Sequence, residues 1–172
     1  MMTKELDKRL GKAIDLATQM KHEFVTLDHL LFCLVESPLI IDVLEQLGTD
    51  PTKIKKEIKV FIDKIPTLKK VDPDWKSNLT LSVHRVFEKA ALQMQNAGRN
   101  ELSETAVFIE IFDESKSNAS YVLQKLGLSQ FDVTDLIFDE SKSNASYVLQ
   151  KLGLSHQIVT DLIFAVHKKR WI

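Results

Sequence analysis

Apolar residues recur every three or four positions along most of the chain, a spacing that predicts amphipathic helices. Thr3 is a predicted N-cap, and Thr26 is the predicted N-cap of a short second helix. Proline at the first helical position predicts further helix starts at Ser37-Pro38 and Asp50-Pro51. Gly48 is expected to end the third helix in a left-handed conformation. The first helix has these apolar positions: Leu6, Leu10, Ala13, Ala17 and Met20.

The helical pattern is interrupted after Pro66. Residues 66–79 contain two prolines and no apolar period, which predicts a linker. A long helix then follows, ending near Gly98, and Ser103 caps a short one. The last two helices are predicted before and after Gly127.

The two sides of this linker resemble each other. Ala13, His22 and Thr26 match Ala90, Arg99 and Ser103 at a constant offset of 77, and an apolar set before Gly48 matches one before Gly127 at 79. Each half has four helices that cannot bury their apolar faces alone. The sequence therefore predicts an all-α fold, in which pseudo-symmetric halves, about 1–65 and 80–138, form one eight-helix bundle.

A second, recent repeat lies in the last third of the chain. Residues 111–129 recur letter for letter at 137–155, and aligning 111–138 with 137–164 leaves three mismatches. Surface positions normally diverge first, because most surface changes are nearly neutral for stability. We therefore expect a domain at 1–138 and a duplicated helical extension with a basic tail at 139–172. Since the spare apolar faces need a partner, the alternative hypothesis is a self-associating protein, or an engineered duplicate, in which residues 139–164 drive oligomerisation or block a docking site.

Composition narrows the possible functions. Of the 172 residues, 44% are hydrophobic and 27% charged, which is typical of a soluble globular protein. The net charge of −1 gives no general attraction to nucleic acid or to anionic membranes. A single cysteine, Cys33, and the lack of a signal-peptide core favour a cytoplasmic location.

Three segments carry a family resemblance. The sequence HEFVTLDHLL at 22–31, together with GRNEL at 98–102 and IFDES at 111–115, resembles the N-terminal domain of the Clp ATP-dependent unfoldases, most closely the ClpA branch. The resemblance covers about residues 3–138 and implies an eight-helix domain that docks adaptors and substrates on top of an ATPase ring. For the ClpA branch it implies a ClpS-type adaptor, substrates with destabilising N-terminal residues, and a Clp protease complex reached through the parent chain.

The chain is not expected to be an enzyme. A P-loop requires Gly-x-x-x-x-Gly-Lys-Ser/Thr, and none of the five glycines stands in that context. The sequence is therefore interpreted as an excised N-terminal domain or a small stand-alone relative. No cofactor and no metal are expected.

Candidate binding residues lie in two equivalent loops. His22, Glu23 and Asp28 form the densest polar cluster, interpreted as an exposed acidic and imidazole edge for an adaptor or substrate. Arg99 and Glu101 occupy the equivalent loop of the second half. If the halves pack back to back, the two loops would flank one groove, with Phe24 and Leu102 as its apolar neighbours.

Simpler interpretations remain open for several of these residues. Asp28 suits the positive end of a helix dipole, and His29 is expected to be a buried, hydrogen-bonded histidine. A zinc site joining His22 to Asp63, as in a small metallohydrolase, is a further alternative. Cys33 is expected to pack as a small hydrophobe. A solvated helix face accounts for an acidic stretch that comprises Glu101, Glu104, Glu110, Asp113 and Glu114.

Overall fold

Helices dominate the part of the chain that the computed structural model describes, residues 1–138. The two short strands are β1 (Phe24–Val25) and β2 (Asn78–Leu79). The helices are α1 (Lys4–Gln19), α2 (Leu27–Leu34), α3 (Pro38–Gln46), α4 (Pro51–Asp63), α5 (Leu81–Asn96), α6 (Glu104–Ile111), α7 (Asn118–Lys125) and α8 (Gln130–Phe138). The predicted eight-helix, all-α architecture is confirmed over these residues. The predicted linker contains a strand, β2, that the hydrophobic pattern did not indicate.

Local capping explains where the helices begin. The Thr3 hydroxyl accepts a hydrogen bond from Leu6 N at 3.2 Å, and the Thr80 hydroxyl accepts one from Val83 N at 3.3 Å. Each cap satisfies a backbone donor that has no partner within its helix. Gly48 has φ +74° after α3, a conformation that L-residues with a side chain rarely adopt. The predicted starts and stops therefore follow from backbone chemistry.

Short extended segments of the two halves pair with each other. β1 pairs in parallel with β2, so that Val25 lies opposite Leu79. An isolated parallel bridge joins Met2 to Leu102. Val25 and Leu102 are 77 residues apart, as are Met2 and Leu79, so the two pairings are symmetry equivalents. The segment that follows the first helix of one half therefore pairs with the segment that precedes the first helix of the other.

The core lies around α2, which contacts α1, α4, α6 and α7. α1 packs on α2 as α5 packs on α6. Burying one large apolar side chain is worth roughly 1.5–3 kcal/mol. The following large side chains are fully buried: Leu6, Leu30, Leu31, Ile58, Phe108 and Leu123.

The acidic stretch of the second half is not a solvated face, and that prediction is wrong for two of its members. Glu104 and Glu110 are only 2% and 5% exposed. Glu104 accepts a hydrogen bond from the buried Ser37 hydroxyl at 3.2 Å and from the Thr3 hydroxyl at 3.5 Å. Because Ser37 and Thr3 belong to the first half, Glu104 joins the two halves.

Contacts divide the chain into two compact units, Met1–Gln130 and Phe131–Ile172. The first unit contains both strands and α1 to α7. The first copy of the recent repeat supplies α7, whose Ala119, Val122 and Leu123 are fully buried. All but the first two residues of the second copy lie outside the described residues, and the domain boundary at 138 stays a prediction.

Candidate functional site

The candidate site begins where the chain turns after the end of α1. Lys21 follows the helix with φ 59°, the one positive φ among the described non-glycine residues. This turn lets His22 N donate to Ala17 O at 2.9 Å. Gly98 takes the same position after α5, with φ 71°, and Arg99 N donates to Met94 O at 2.9 Å. The two loops are therefore built alike, with lysine in one half where the other has glycine.

Beneath the first loop lies a buried histidine pair. His22 and His29 are 1% and 0% exposed, and His22 Nδ1 lies 2.8 Å from His29 Nε2. The amide of Thr26 donates to His29 Nδ1 at 2.9 Å, so that nitrogen is an acceptor. His29 must then carry its proton on Nε2 and donate it to His22 Nδ1. The prediction that His29 is a buried, hydrogen-bonded histidine is confirmed.

Both histidines are held in the neutral form. Burial, reinforced by the nearby His22, lowers the pKa of His29 to about 4. Burial also lowers the pKa of His22, although the carboxylate of Asp63 acts in the opposite direction. Two imidazoles in contact cannot both be charged without strong repulsion. The pair therefore joins the N-terminus of α2 to the preceding loop without charge at neutral pH.

The linker fixes the loop from its other side. The Ser77 hydroxyl donates to the carbonyl of His22, and Ser77 N donates to the Thr18 hydroxyl at 3.1 Å. Asn78 N then donates to Glu23 O at 3.2 Å. These bonds keep the backbone around Glu23 in one conformation.

Glu23 and Phe24 face solvent in this loop, as does Lys21 at its start. Glu23 is exposed, and the Phe24 ring is 45% exposed although it belongs to β1. An apolar ring beside a carboxylate on a fixed strand can supply both contact area and orientation to a protein partner. Glu23 and Phe24 therefore form the candidate binding surface of this loop.

Two predicted site residues lie below that surface instead of on it. His22 is 1% exposed and Asp28 is 6% exposed, so the expectation of an exposed acidic and imidazole edge is wrong for both. Asp28 Oδ2 accepts a hydrogen bond from Asn118 Nδ2 at 3.2 Å. Burial raises the pKa of Asp28, and this hydrogen bond partly opposes the shift. Asp28 therefore joins α2 to α7, as Glu104 joins α6 to the first half.

The second loop lies at the opposite end of α1. Leu102 pairs with Met2, just before α1 begins, whereas Phe24 follows its end. A helix of 16 residues is about 24 Å long. Arg99 and Glu101 are exposed beside an open depression of about 390 Å³. The expectation that both loops flank one groove is therefore wrong, because α1 separates them.

The metal-site and reactive-thiol alternatives can be compared with the described residues. No group of three or more His, Cys, Asp or Glu side chains within residues 1–138 is arranged to hold a metal ion. Cys33 is 4% exposed, as predicted for a packed hydrophobe, and burial raises the pKa of its thiol to about 11. Such a thiol is a poor nucleophile at neutral pH. Among the described helices none has the length and apolar character to cross a membrane.

Sequence reasoning missed the partners that position the site. Ser77 and Asn118 carry no motif, and their roles come from contacts between distant segments. One signal was available for the histidine pair. Thr26 and His29 have the spacing of a capping box, in which the third residue of the helix bonds back to the N-cap amide.

The fold defines a double-repeat helical domain, and comparison with known proteins gives its family. The family model described as the Clp repeat (R) N-terminal domain matches residues 1–126. The chain belongs to this family.

One relative supports this family, and two solved structures share the fold. A ClpA homolog protein of Fuscovulum blasticum is 32% identical over 131 residues, which is 76% of this chain but 16% of the relative. The chain thus spans about one sixth of that relative's length. The N-domain of ClpV from Vibrio cholerae has a TM-score of 0.66 at 20% identity, covering 79% of this chain and 82% of that one. The Hsp104 N-terminal domain from Candida albicans has a TM-score of 0.67 at 14% identity, covering 77% and 85%.

Proposed function

We propose that this chain is the docking domain of a ClpA-like, ATP-dependent unfoldase, without catalytic activity of its own. A ClpS-type adaptor, and protein substrates that are unfolded or have destabilising N-terminal residues, would bind it before unfolding and degradation by a cytoplasmic Clp protease complex. The family match and the similarity to a ClpA homologue support this proposal. A structure with a similar fold, at 18% identity and a TM-score of 0.62, is a complex of the ClpV N-domain with a VipB peptide.

One observation carries the proposal: Glu23 and Phe24 are exposed side by side where the loop enters β1, and the rest of the domain holds this backbone in place. Interface energy concentrates in a few well-placed aromatic and charged side chains. Phe24 would supply the apolar contact and Glu23 the orientation. His22 and Asp28 would act beneath the surface, by fixing the loop and the start of α2.

Charge reversal in each of the two loops, at Glu23 and at Glu101, tests this assignment. The chain is titrated with a ClpS-type adaptor by calorimetry, as wild type, Glu23→Lys and Glu101→Lys. Both side chains are exposed and the two substitutions change the net charge equally, so each is the matched control for the other. We expect Glu23→Lys to weaken binding at least tenfold and Glu101→Lys to change it less than twofold.

The other outcomes are equally informative. If only Glu101→Lys weakens binding, the adaptor docks at the second loop, where Arg99 would accompany Glu101. If the wild-type chain does not bind the adaptor, the proposed function is wrong.

The recent repeat favours a second candidate, self-association through residues 139–164. α7 bonds to the rest of its unit through Asn118 to Asp28 and Lys125 to Glu57, and it buries Val122. The second copy repeats all three side chains, as Asn144, Lys151 and Val148. We propose that this segment of one molecule can take the place of α7 in another.

Paired substitutions separate the two copies. We expect Val148→Asp to abolish a dimer seen by light scattering and to leave the domain folded. Val122→Asp alone should increase dimerisation, because the intact copy of each partner replaces the damaged one, and the double variant should unfold. A wild-type chain that is monomeric at all concentrations contradicts this candidate.

A further inference from the structure

A basic depression lies beside the candidate site. Its volume is about 630 Å³, and it is open to solvent between the end of α1 and the linker that follows α4. Three lysines and three apolar side chains line it. They are Lys21, Lys69, Lys70, Leu68, Val71 and Trp75.

Backbone hydrogen bonds fix the frame of this depression. Leu68 N donates to Lys21 O at 2.8 Å, which attaches the linker to the left-handed turn after α1. Trp75 N donates to Asp72 O at 3.0 Å, which closes a tight turn over residues 72–75. A surface that is already ordered loses less entropy when it binds a partner.

The charge of the depression is not compensated within the described chain. No described carboxylate forms an ion pair with Lys21, Lys69 or Lys70. One acidic residue, Asp72, lies in the lining, so the depression has an excess of positive charge in a chain whose net charge is −1. Leu68, Val71 and Trp75 are each half-buried, which leaves part of their apolar surface available.

We propose that this depression binds an acidic segment of a partner protein that has an aromatic or large aliphatic side chain between its carboxylates. The three ammonium groups attract the carboxylates, and the apolar side chain packs against Trp75. This proposal does not depend on which adaptor binds at Glu23.

The surroundings favour an acidic peptide over a nucleic acid. Asp72 lies in the depression, Glu23 follows Lys21 by two residues, and Asp63 is close enough to influence His22. A phosphate backbone has a charge at every nucleotide and would meet these carboxylates as it left the depression. A short peptide can place its carboxylates beside the lysines alone.

A peptide pair supplies the test. The full chain is titrated by calorimetry at low salt with the acetylated, amidated peptide EEFEEFEE and with its counterpart KKFKKFKK, and the indole N–H signal of Trp75 is followed by NMR. We expect the acidic peptide to bind and shift that signal, and the basic peptide to do neither. Binding should weaken with added salt, since the lysines are exposed.

Matched variants locate the binding. Lys69→Glu with Lys70→Glu should raise the Kd of the acidic peptide at least tenfold. Lys4→Glu with Lys8→Glu changes the net charge equally on exposed positions of α1 and should change the Kd less than twofold. Glu23→Lys should not weaken this binding, which distinguishes it from adaptor docking.

Three results would overturn the proposal. They are an equal loss in both double variants, an unchanged Trp75 signal at saturating peptide, and tighter binding at Trp75 by a short oligothymidylate than by the acidic peptide.

Discussion

His29 donates its Nε2 proton to His22 Nδ1 across 2.8 Å, and its own Nδ1 accepts from the Thr26 amide. One imidazole thus completes a helix cap and holds the loop that presents Glu23. A second proton on His29 would have to displace the Thr26 amide from Nδ1. The stability of the domain and the order of the loop that presents Glu23 should therefore change over the same pH range.

Acid should destabilise the domain through this pair. The pKa of His29 is about 4 in the folded state, against roughly 6.5 in an unfolded chain. Between these values the unfolded state binds more protons, so the free energy of unfolding falls as the pH drops. The loss is on the order of 3 kcal/mol at full protonation. Asp28 opposes part of it, because burial raises its pKa.

His29→Gln is the control for this effect, because glutamine at this capping-box position can accept from the Thr26 amide but cannot titrate. Denaturant unfolding between pH 7 and 5 should show a smaller loss of stability in this variant than in the wild type. A His29 imidazole signal that titrates near pH 6.5 in NMR would contradict the prediction.

Asp28 and Asn118 should respond unequally to substitution. Asn118→Ala leaves a buried carboxylate without its donor, which typically costs about 1–3 kcal/mol. Asp28→Asn removes the buried charge and should be nearly neutral, or stabilising, at pH 7. Urea midpoints of the two variants measure the difference. Equal destabilisation by both would show that the hydrogen bond, and not the burial of charge, dominates.

Much of this fold could be predicted from the sequence, because caps and periodicity act locally. Thr3, Thr26 and Pro51 identify helix starts through chemistry that lies within a few residues. Burial of polar residues could not be predicted in the same way. Asp28 is buried and accepts a hydrogen bond from Asn118, 90 residues away, and no local pattern records such a contact.

The candidate site was therefore only partly predictable. Glu23 and Phe24 are exposed where the loop enters β1, and their neighbourhood was identified through the family resemblance. The separation of the two loops depends on the pairing of β1 with β2 at one end of α1 and of Met2 with Leu102 at the other. That pairing involves two strands of two residues and one isolated bridge, which are too short to produce a periodic signal.

Glu104 should show energetic coupling with Ser37. Removing either side chain leaves the other buried polar group without this partner, at about 1–3 kcal/mol for each substitution. We expect Glu104→Ala and Ser37→Ala to be clearly less than additive in a double-mutant cycle. Urea unfolding of the two single variants and the double variant gives the coupling energy. Strict additivity would mean that the 3.2 Å contact contributes nothing to stability.

The equivalent turns after α1 and α5 predict that replacing lysine by glycine in the first turn raises stability, and that replacing glycine by lysine in the second lowers it. Lys21 has φ 59°, which costs an L-residue with a side chain roughly 1–2 kcal/mol, so Lys21→Gly should stabilise the domain by about 1 kcal/mol. Gly98→Lys should destabilise it similarly, since no atom lies within 4 Å of an added Cβ and strain is the main cost. Lys21→Ala removes the charge and keeps the strain, so it should leave the melting temperature nearly unchanged.

The pairing between segments of the two halves also has a consequence for how the chain reaches its native state. The bridge between Met2 and Leu102 closes a loop of about 100 residues, and β1 with β2 closes one of about 54. These pairings become favourable only when helices of both halves are in place, so neither half is expected to persist as an isolated intermediate. Folding should be cooperative and slower than in helical bundles whose contacts are all local.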